Sequence, residues 1–468
     1  MPVTALHFRR AAAESLRDPQ LQRALGRLQT KFVDARAAAI GELPGYEALR
    51  DSATEVRDRV IRDLDRYLLR FERAATARGT VVHWAEHADD VNRIVAEIAA
   101  QHGVRRIVKA KSMVSEECGL DDALVGAGLE VLETDLGEYI LQLAHERPSH
   151  IVAPVVHKSK EQVADLFEAS HQRPRTADIA GLCREAREVL RPRFLAADMG
   201  ITGANFLVAE SGSVVLVTNE GNGRLCTTLP RVHVAITGIE KVVPTLEDTT
   251  TLLRLLPRAA TGQSITNYVS VLTGTKGPDD NDGPEHFHII LLDGGRSRLL
   301  GTELEPILRC IRCGACMNHC PVYQSIGGHP YGWVYPGPMG SVLTPAFAGL
   351  ENALDLPHAS TLCGECARVC PVSIPLPDLL RHLRHRQVER GLRPWSERLG
   401  LRLWSWLAQR PALYAMAARV AAWLLRILAG REGWLRRLPG ASGWMRGRDF
   451  PAPAGRTFRD LYRAGRRP

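Results

Sequence analysis

Apolar residues recur at intervals of three and four in Val60, Ile61, Leu64, Leu68 and Phe71, with arginine and aspartate filling the positions between. That period lays them along one helix face, so residues 1 to about 75 are predicted to be helical. From about residue 80 the pattern changes. Val81-Val82, Arg106-Ile107-Val108, Leu129-Glu130-Val131-Leu132 and His150-Ile151-Val152-Ala153-Pro154 are short β-prone runs with helical sequence between them, an alternation that predicts βαβ units and a parallel sheet. Residues 206–209, 213–217 and 232–236 then follow with only glycine-rich breaks, which predicts adjacent strands and a hairpin about Ser211-Gly212. Residues 287–292 form the last predicted strand, and the sheet domain should end near 300.

Beyond it the regular patterns thin out. Gly327-Gly328-His329-Pro330-Tyr331-Gly332-Trp333-Val334-Tyr335-Pro336-Gly337-Pro338 is too rich in glycine and proline for a regular element and reads as an ordered loop. Its aromatics either shield a neighbouring site from water or fill a small core. From Leu399 to Ala429 apolar clusters alternate with Arg402, Arg410, Arg419 and Arg426. A membrane span needs about 20 mostly apolar residues, and no uncharged stretch here reaches that. Arg419 and Arg426 stand seven apart, opposite Ala417 and Leu424. The expected element is an amphipathic helix, lying on a membrane, on a partner or on its own domain.

The 468 residues suffice for two or three domains. The start, Met1-Pro2-Val3-Thr4, runs into Arg9, Arg10, Glu14 and Arg17 without an apolar secretory core, so a cytoplasmic protein is expected. The net charge of +8 is unevenly spread. Residues 381–468 carry 20 arginines, no lysine and five acids, a local +15 that leaves −7 for the rest. Six of the eight tryptophans lie here too: Trp395, Trp404, Trp406, Trp423, Trp434 and Trp444. Such a tail invites an acidic partner, and charge alone does not choose among nucleic acid, anionic lipid and an acidic subunit.

Seven of the ten cysteines fall in two runs, Cys310-x2-Cys313-x2-Cys316-x3-Cys320-Pro321 and Cys363-x2-Cys366-x3-Cys370-Pro371, the only internal repeat. This is iron–sulfur ferredoxin spacing. In two-cluster ferredoxins the fourth cysteine of a run ligates the other cluster. Crosswise, Cys310, Cys313, Cys316 and Cys370 complete one 4Fe-4S site, while Cys320, Cys363 and Cys366 supply three corners of a second. The missing first cysteine of the second run falls at Ser360. The second centre is therefore either 3Fe-4S or a 4Fe-4S cluster whose fourth iron takes Ser360, His358, a distant cysteine or solvent. Each proline is expected to end its loop, and Gly314 and Gly364 to let backbone approach a cluster. Structural zinc competes, but it normally takes four ligands in two pairs, which seven cysteines fit poorly. Cys118, Cys183 and Cys226 are scattered and read as small buried hydrophobes.

In the front half Asp135, Glu138, Glu210, Glu220 and Arg224 lie near predicted strand ends or glycine turns, where α/β folds place binding residues. Gly221-Asn222-Gly223 either offers backbone N–H groups to an anion clamped by Arg224 or simply turns the chain while the acids cap helices. His157 with Lys158, and His286 with His288, carry no distinctive pattern. No G-x-G-x-x-G follows a predicted strand, so no dinucleotide site is expected.

The chain resembles the lactate utilisation protein B family over nearly its whole length. The marks are residues 109–117 (KAKSMVSEE), 133–140 (ETDLGEYI), 151–154 (IVAP), 201–206 (ITGANF), 218–224 (TNEGNGR) and 238–241 (GIEK), then 310–316 (CIRCGAC) and 332–338 (GWVYPGP). The resemblance implies an α/β fold class: a sugar-isomerase or CoA-transferase-like α/β domain, then an α-helical ferredoxin domain and a helical Arg/Trp-rich tail. The expected division is 1–75 helical, 76–300 lactate-utilisation α/β domain, 301–385 two-cluster ferredoxin domain and 386–468 basic helical region. It further implies two iron–sulfur clusters, a three-cysteine second run as the usual family pattern, and work beside a cysteine-rich oxidoreductase subunit and a smaller α/β protein in oxidising L-lactate to pyruvate. On this reading the chain is an electron-transfer subunit in the cytoplasm or at the inner face of the membrane, with no nucleic-acid partner. Two rivals remain: an α/β domain that itself binds and oxidises a 2-hydroxy acid, and a zinc module with a nucleic-acid-binding tail.

Overall fold

Val60, Leu64, Leu68 and Phe71 are all buried, on the helices Tyr46–Arg62 and Leu64–Thr76. They pack against Leu207, Val214 and Val242 on one side and Phe287, Ile289 and Leu291 on another, and each such burial contributes about 1.5–3 kcal/mol. The structure, a computed structural model, describes residues 3–437, 445 and 448–465. The chain divides into two units, Met1–Arg386 and Gln387–Pro468.

In the first unit the strands are Val81–Ala85 (β1), Arg106–Lys109 (β2), Glu130–Glu133 (β3), Met199–Thr202 (β4), Phe206–Val208 (β5), Ser213–Thr218 (β6), Val232–Gly238 (β7), Val242–Val243 (β8), Tyr268–Leu272 (β9) and His286–Leu292 (β10). Six of them form a wholly parallel sheet in the order β1-β10-β7-β4-β2-β3. Helix Ala88–Gln101 covers one face with Val91, Ile94, Val95 and Ile98. Because helices take both faces, the central strands are apolar throughout rather than alternating: every residue of β7 is buried. A second sheet, β8-β5-β6-β9, contains the expected hairpin, with Phe206 opposite Val215.

The chain leaves β2 toward β3 on one side and β4 toward β7 on the other, so adjacent β2 and β4 mark a topological switch point. Open α/β sheets bind ligands at the carboxyl ends of such strands. Gly200 on β4 is compulsory, because a Cβ there would lie 1.8 Å from the carbonyl oxygen of Cys226.

Two strand expectations are corrected. Residues 232–236 do not join the hairpin; as β7 they sit inside the parallel sheet between β4 and β10. Residues 150–154 are not a strand but a series of bends and turns. His150 Nδ1 accepts from the N–H groups of Val152 (3.0 Å) and Ala153 (2.9 Å), which curls the backbone round the ring. Its Nε2 therefore carries the proton and donates to Asn318 Oδ1 at 2.8 Å. Burial pushes this imidazole down to about 4 and keeps it neutral.

The C-terminal unit contains the helices Trp395–Ala408 and Pro411–Leu428 and a short antiparallel pair, Trp434–Leu435 with Phe450–Pro451. Its described core is small, built on Ala429, Leu435 and Met445. Arg419 pairs with Asp460 at 2.5 Å. The reading that this domain covers its own amphipathic helix fails here: Trp423, Leu424, Ile427 and Leu428 stand exposed, as do Trp395 (71%), Trp404 (63%) and Trp406. Pro411–Leu428 is long and apolar enough, by length and composition, to cross a membrane, which its two arginines had argued against. Trp444 lies outside the described residues.

Candidate functional site

The two cysteine runs fold as copies of one loop. In the first, Cys310 Sγ accepts the N–H of Arg312 at 3.4 Å, and in the second, Ser360 Oγ accepts the N–H of Leu362 at 3.1 Å. Arg312 (φ 60°) and Leu362 (φ 56°) both take the left-handed conformation, as do Gly314 (78°) and Gly364 (90°) two residues on. Short helices Ala315–Asn318 and Glu365–Arg368 follow. Ser360 thus stands where the first run has Cys310. Non-glycine residues at positive φ carry strain, and here it turns consecutive side chains toward one centre. Pro321 ends its loop as expected, but its reason is corrected: far from barring a helix, it begins helix Pro321–Ile326, with Cys320 as N-cap. The first helical N–H would be unpaired anyway, so proline is favoured there.

The thiols of the two runs act on one another as charged neighbours: Cys370 feels Cys310, and Cys320 feels Cys363. Burial, with Cys370 and Cys310 as charged neighbours, pushes the Cys313 thiol up to about 12. Burial, with Cys320 and Cys363, does the same to Cys366. Cys316 neighbours Cys310 and Cys313 first and then Cys366 and Cys370, so the two groups adjoin. Cys370 Sγ also accepts the Ile374 N–H at 3.4 Å. A tetrahedral zinc with Zn–S near 2.3 Å needs sulfurs about 3.8 Å apart. Among the described residues no three cysteines bring their sulfurs within 4.8 Å of one another. A set of soft thiolates spread more widely than that, with backbone N–H groups aimed at sulfur, fits a polynuclear iron–sulfur cluster.

Residues 1–75 showed no chemistry as sequence, yet their arginines hold these loops in place. Arg36 donates to the Val369 carbonyl (2.9 Å) and Arg50 to those of Cys370 (2.8 Å) and Ala367 (3.2 Å). Arg57 reaches the carbonyls of Leu308 (2.9 Å), Val242 and Glu240. Around Cys310 stand the cations Arg57 and Arg312 together with Lys241, whose ammonium is pushed down to about 7 by burial and by Arg312. Lys241 Nζ donates to the Cys310 carbonyl at 3.2 Å. Behind them lies a buried network. Arg296 binds both oxygens of Glu117 (3.0 and 2.8 Å) and Glu240 Oε2 (2.7 Å), Tyr335 donates to Glu117 Oε2 (2.7 Å), and Arg312 reaches Glu240 Oε1 (3.3 Å). Burial opposes the Glu240 charge, but Arg296, Lys241 and Arg312 outweigh it and hold the carboxyl down at about 2. The aromatic loop residues fill this core: Tyr331 and Tyr335 are fully buried, and Arg312 lies 4.8 Å from the Tyr335 ring centre.

Over the first loop opens a cavity of about 470 Å3 at the carboxyl ends of β2, β3 and β4. Its walls include Lys111 and Ser112 after β2, Asp135 after β3, Gly203 and Asn205 after β4, Glu220, Lys241, and Ile311, Arg312 and Cys313 of the cluster loop. The 150–153 turn completes it, with Val152 against Gly314. Lys111 Nζ and Arg312 Nη1 are closed off from solvent without a hydrogen-bond partner; the nearest charge to Lys111 is Glu138 Oε1 at 3.5 Å. Burial pushes Glu138 and Glu220 each up to about 7. Sequence reasoning found Asp135, Glu138 and Glu220 but missed Lys111, Lys241 and Arg312, for which cations next to strand ends or cysteines were the available signal.

Other candidates play structural parts. Asp135 caps helix Leu136–Ala144, Glu220 accepts the Leu136 N–H at 3.2 Å and Glu210 accepts the Leu246 N–H at 2.6 Å. Arg224 does not clamp the glycine turn; it lies over Tyr268, 4.9 Å from the ring centre. His157 and Lys158 both pair with Glu146. His288 meets His83 at 3.1 Å, and His286 lies tilted against His102, ring centres 4.2 Å apart. Cys118 and Cys226 are buried as expected, whereas Cys183 is exposed. Glu116, Asp121 and Glu133 converge like metal ligands, but Lys109 Nζ already occupies their centre at 3.3, 3.2 and 2.5 Å. Burial works against that ammonium, and the three carboxylates outweigh it and raise its pKa.

Comparison with known proteins agrees with this anatomy. Residues 68–292 match the LUD domain, 306–374 the 4Fe-4S dicluster domain and 382–466 the C-terminal domain of lactate utilisation protein B. An α/β domain whose cavity opens onto a dicluster segment defines an iron–sulfur protein. "Lactate utilization protein B" of Lysinibacillus sphaericus (strain C3-41) is 44% identical over 458 residues, covering 97% of this chain and 96% of its own. The proteins of that name from Geobacillus kaustophilus (strain HTA426) and Shouchella clausii (strain KSM-K16) are 43% and 44% identical, each covering 97% or more of this chain and 96% of their own. The chain belongs to the lactate utilisation protein B family. A crystal structure of a DUF162 family protein from Deinococcus radiodurans covers 49% of this chain and 98% of its own at 13% identity and a TM-score of 0.30, too slight a likeness to carry an argument.

Proposed function

We propose that this chain is the iron–sulfur electron-transfer component of a lactate-oxidising system, acting with a cysteine-rich oxidoreductase subunit and a smaller α/β protein. Cys310, Cys313, Cys316 and Cys370 hold one 4Fe-4S cluster, and Cys320, Cys363 and Cys366 hold the second. What supports this reading is the pair of like-folded cysteine loops, the first of which lines the cavity of the α/β domain through Cys313. When bound, such clusters supply one-electron transfer. The protein's part is to fix them: N–H groups of Arg312 and Ile374 point at sulfur, Arg57, Lys241 and Arg312 offset the charge at Cys310, and Tyr331 and Tyr335 exclude water.

Anaerobic reconstitution tests the function. Purified chain should carry about seven to eight irons, and its visible absorbance should bleach on addition of L-lactate only when both partner proteins are present. No bleaching in the complete mixture overturns the reading. Bleaching by the chain alone would move the oxidation into its own α/β domain.

Ser360 gives a sharper expectation. Its oxygen occupies the first-cysteine position and is a harder ligand than sulfur, so it should hold the fourth iron of the second cluster weakly. The oxidised protein is expected to show a 3Fe-4S electron paramagnetic resonance signal that Ser360→Cys removes. An unchanged spectrum with no such signal in either form would mean that another residue fills the corner.

The C-terminal unit, with its arginines and exposed tryptophans, suits the inner face of a membrane, where basic amphipathic helices bind anionic lipid. Deleting residues 391–468 is expected to weaken flotation with phosphatidylglycerol vesicles at least about tenfold, and raised salt should weaken the intact protein in the same direction. Flotation unaltered by the deletion would remove the unit from this role.

A further inference from the structure

The cavity over Cys313 carries more than a passive gap would. Two of its cationic nitrogens, Lys111 Nζ and Arg312 Nη1, are shut away from solvent with no hydrogen bond to the protein. Each group has one acidic neighbour, Glu138 Oε1 at 3.5 Å from Lys111 and Glu240 at 3.3 Å from the other terminal nitrogen of Arg312, yet leaving buried charged N–H groups without a hydrogen bond is costly, and proteins keep such groups chiefly where a ligand completes them. Lys241, spending one N–H on the Cys310 carbonyl, lines the same wall. Asp135 and Glu220 also line the cavity, and Glu220 has Lys111 among its charged neighbours. The site lies at the switch point between β2 and β4, where an open parallel sheet binds its ligands. The larger cavity of about 660 Å3, near His157 and Trp333, has no such set, since His157 and Lys158 are already paired with Glu146.

We propose that this cavity binds a small 2-hydroxy or 2-oxo acid, its carboxylate on Lys111, Arg312 and Lys241 and its second oxygen toward Asp135 and Glu220. The inference rests on the lactate-oxidation reading and adds to it which chain, and which wall, holds the acid. A planar guanidinium suits a carboxylate better than a point charge does. Glu220, which burial holds at about 7, is able to carry a proton at neutral pH and so to donate to a keto oxygen or accept from a hydroxyl. The cavity volume exceeds that of a three-carbon acid, so four- and five-carbon 2-hydroxy acids should also enter. Because Cys313 is part of the lining, the acid sits beside the first cluster loop.

Calorimetric titration of the anaerobically purified, cluster-loaded full chain decides the matter, with L-lactate, pyruvate, 2-hydroxybutyrate and inorganic phosphate as probes. Expected are a dissociation constant of roughly 1 mM or tighter for lactate or pyruvate, a loss of at least tenfold in Lys111→Met, partial recovery in Lys111→Arg, and no change in the exposed control Lys160→Met. Glu220→Gln, which keeps an acceptor for the Leu136 N–H, should weaken binding while circular dichroism and cluster absorbance stay as in the parent. Absence of heat with every organic acid, an affinity indifferent to Lys111→Met and Glu220→Gln, or tighter binding of phosphate than of any carboxylate would each overturn the proposal. If no acid binds but lactate and the partner proteins still bleach the clusters, the electron-transfer reading survives and this inference alone falls; binding without bleaching gives the reverse.

Discussion

Cys370→Ser is expected to damage the cluster of the first cysteine run, not that of the run in which it lies. Cys370 has Cys310 as its cysteine neighbour, and Cys313 in turn has Cys370 ahead of any other charge. Serine is a poor replacement, since a thiolate is the ligand iron prefers and a serine oxygen must lose its proton to compete. Iron content should fall by up to about half. The signal assigned to the Ser360 corner should persist in the oxidised variant, because Cys320, Cys363 and Cys366 are untouched. Cys320→Ser should do the converse and abolish that signal. If instead each substitution harms the cluster of its own run, the crosswise pairing is wrong and the two loops are independent.

Arg296→Met is expected to cost about 3–5 kcal/mol, because it strands Glu117 and Glu240 in the interior without the guanidinium that both share. Burial by itself disfavours the Arg296 charge, yet Glu117 and Glu240 more than restore it and raise its pKa well above the ordinary value. At roughly 2–4 °C per kcal/mol for a domain of some 200 residues, the melting temperature should drop by about 6–20 °C. Adding Glu117→Gln to Arg296→Met should recover part of the loss, since one uncompensated charge disappears with it. A fall under about 1 kcal/mol would mean that water reaches the network. The same change bears on the site: Glu240 also receives Arg312, and Tyr335 donates to Glu117, so loosening Arg296 should broaden the cluster spectra even where iron remains bound.

The local chemistry of this protein is written in short stretches of chain. Cysteines three residues apart are brought round one centre by a single tight turn, so their spacing announces the site before any fold is known. The helical period of Val60 to Phe71 and the apolar runs of β7 and β10 are equally local, and they appear as expected. His150 misled because a side chain overruled the backbone: its Nδ1 takes the two N–H groups that a strand at 150–154 would have used. Pro321 misled because the same missing N–H that ends one helix is harmless at the start of another.

What the tertiary structure decided is everything that spans distance. Arg36, Arg50 and Arg57 lie more than 250 residues from the carbonyls of the cluster loops they grip, and nothing in their surroundings marks them apart from the many other arginines of the N-terminal helices. Lys109 and Lys111 look alike in sequence, two residues apart. One neutralises three carboxylates in the interior, while the other lines the cavity without a hydrogen bond, with Glu138 alone at 3.5 Å. The cavity itself exists because the order in which the chain adds strands reverses between β2 and β4, which sets those strand ends beside residues 311–313. Sequence fixes which groups lie within a turn of one another, since the chain's covalent reach is short. Which cations and carboxylates share a wall depends on the order of strands, and that order is settled by burial of the whole sheet.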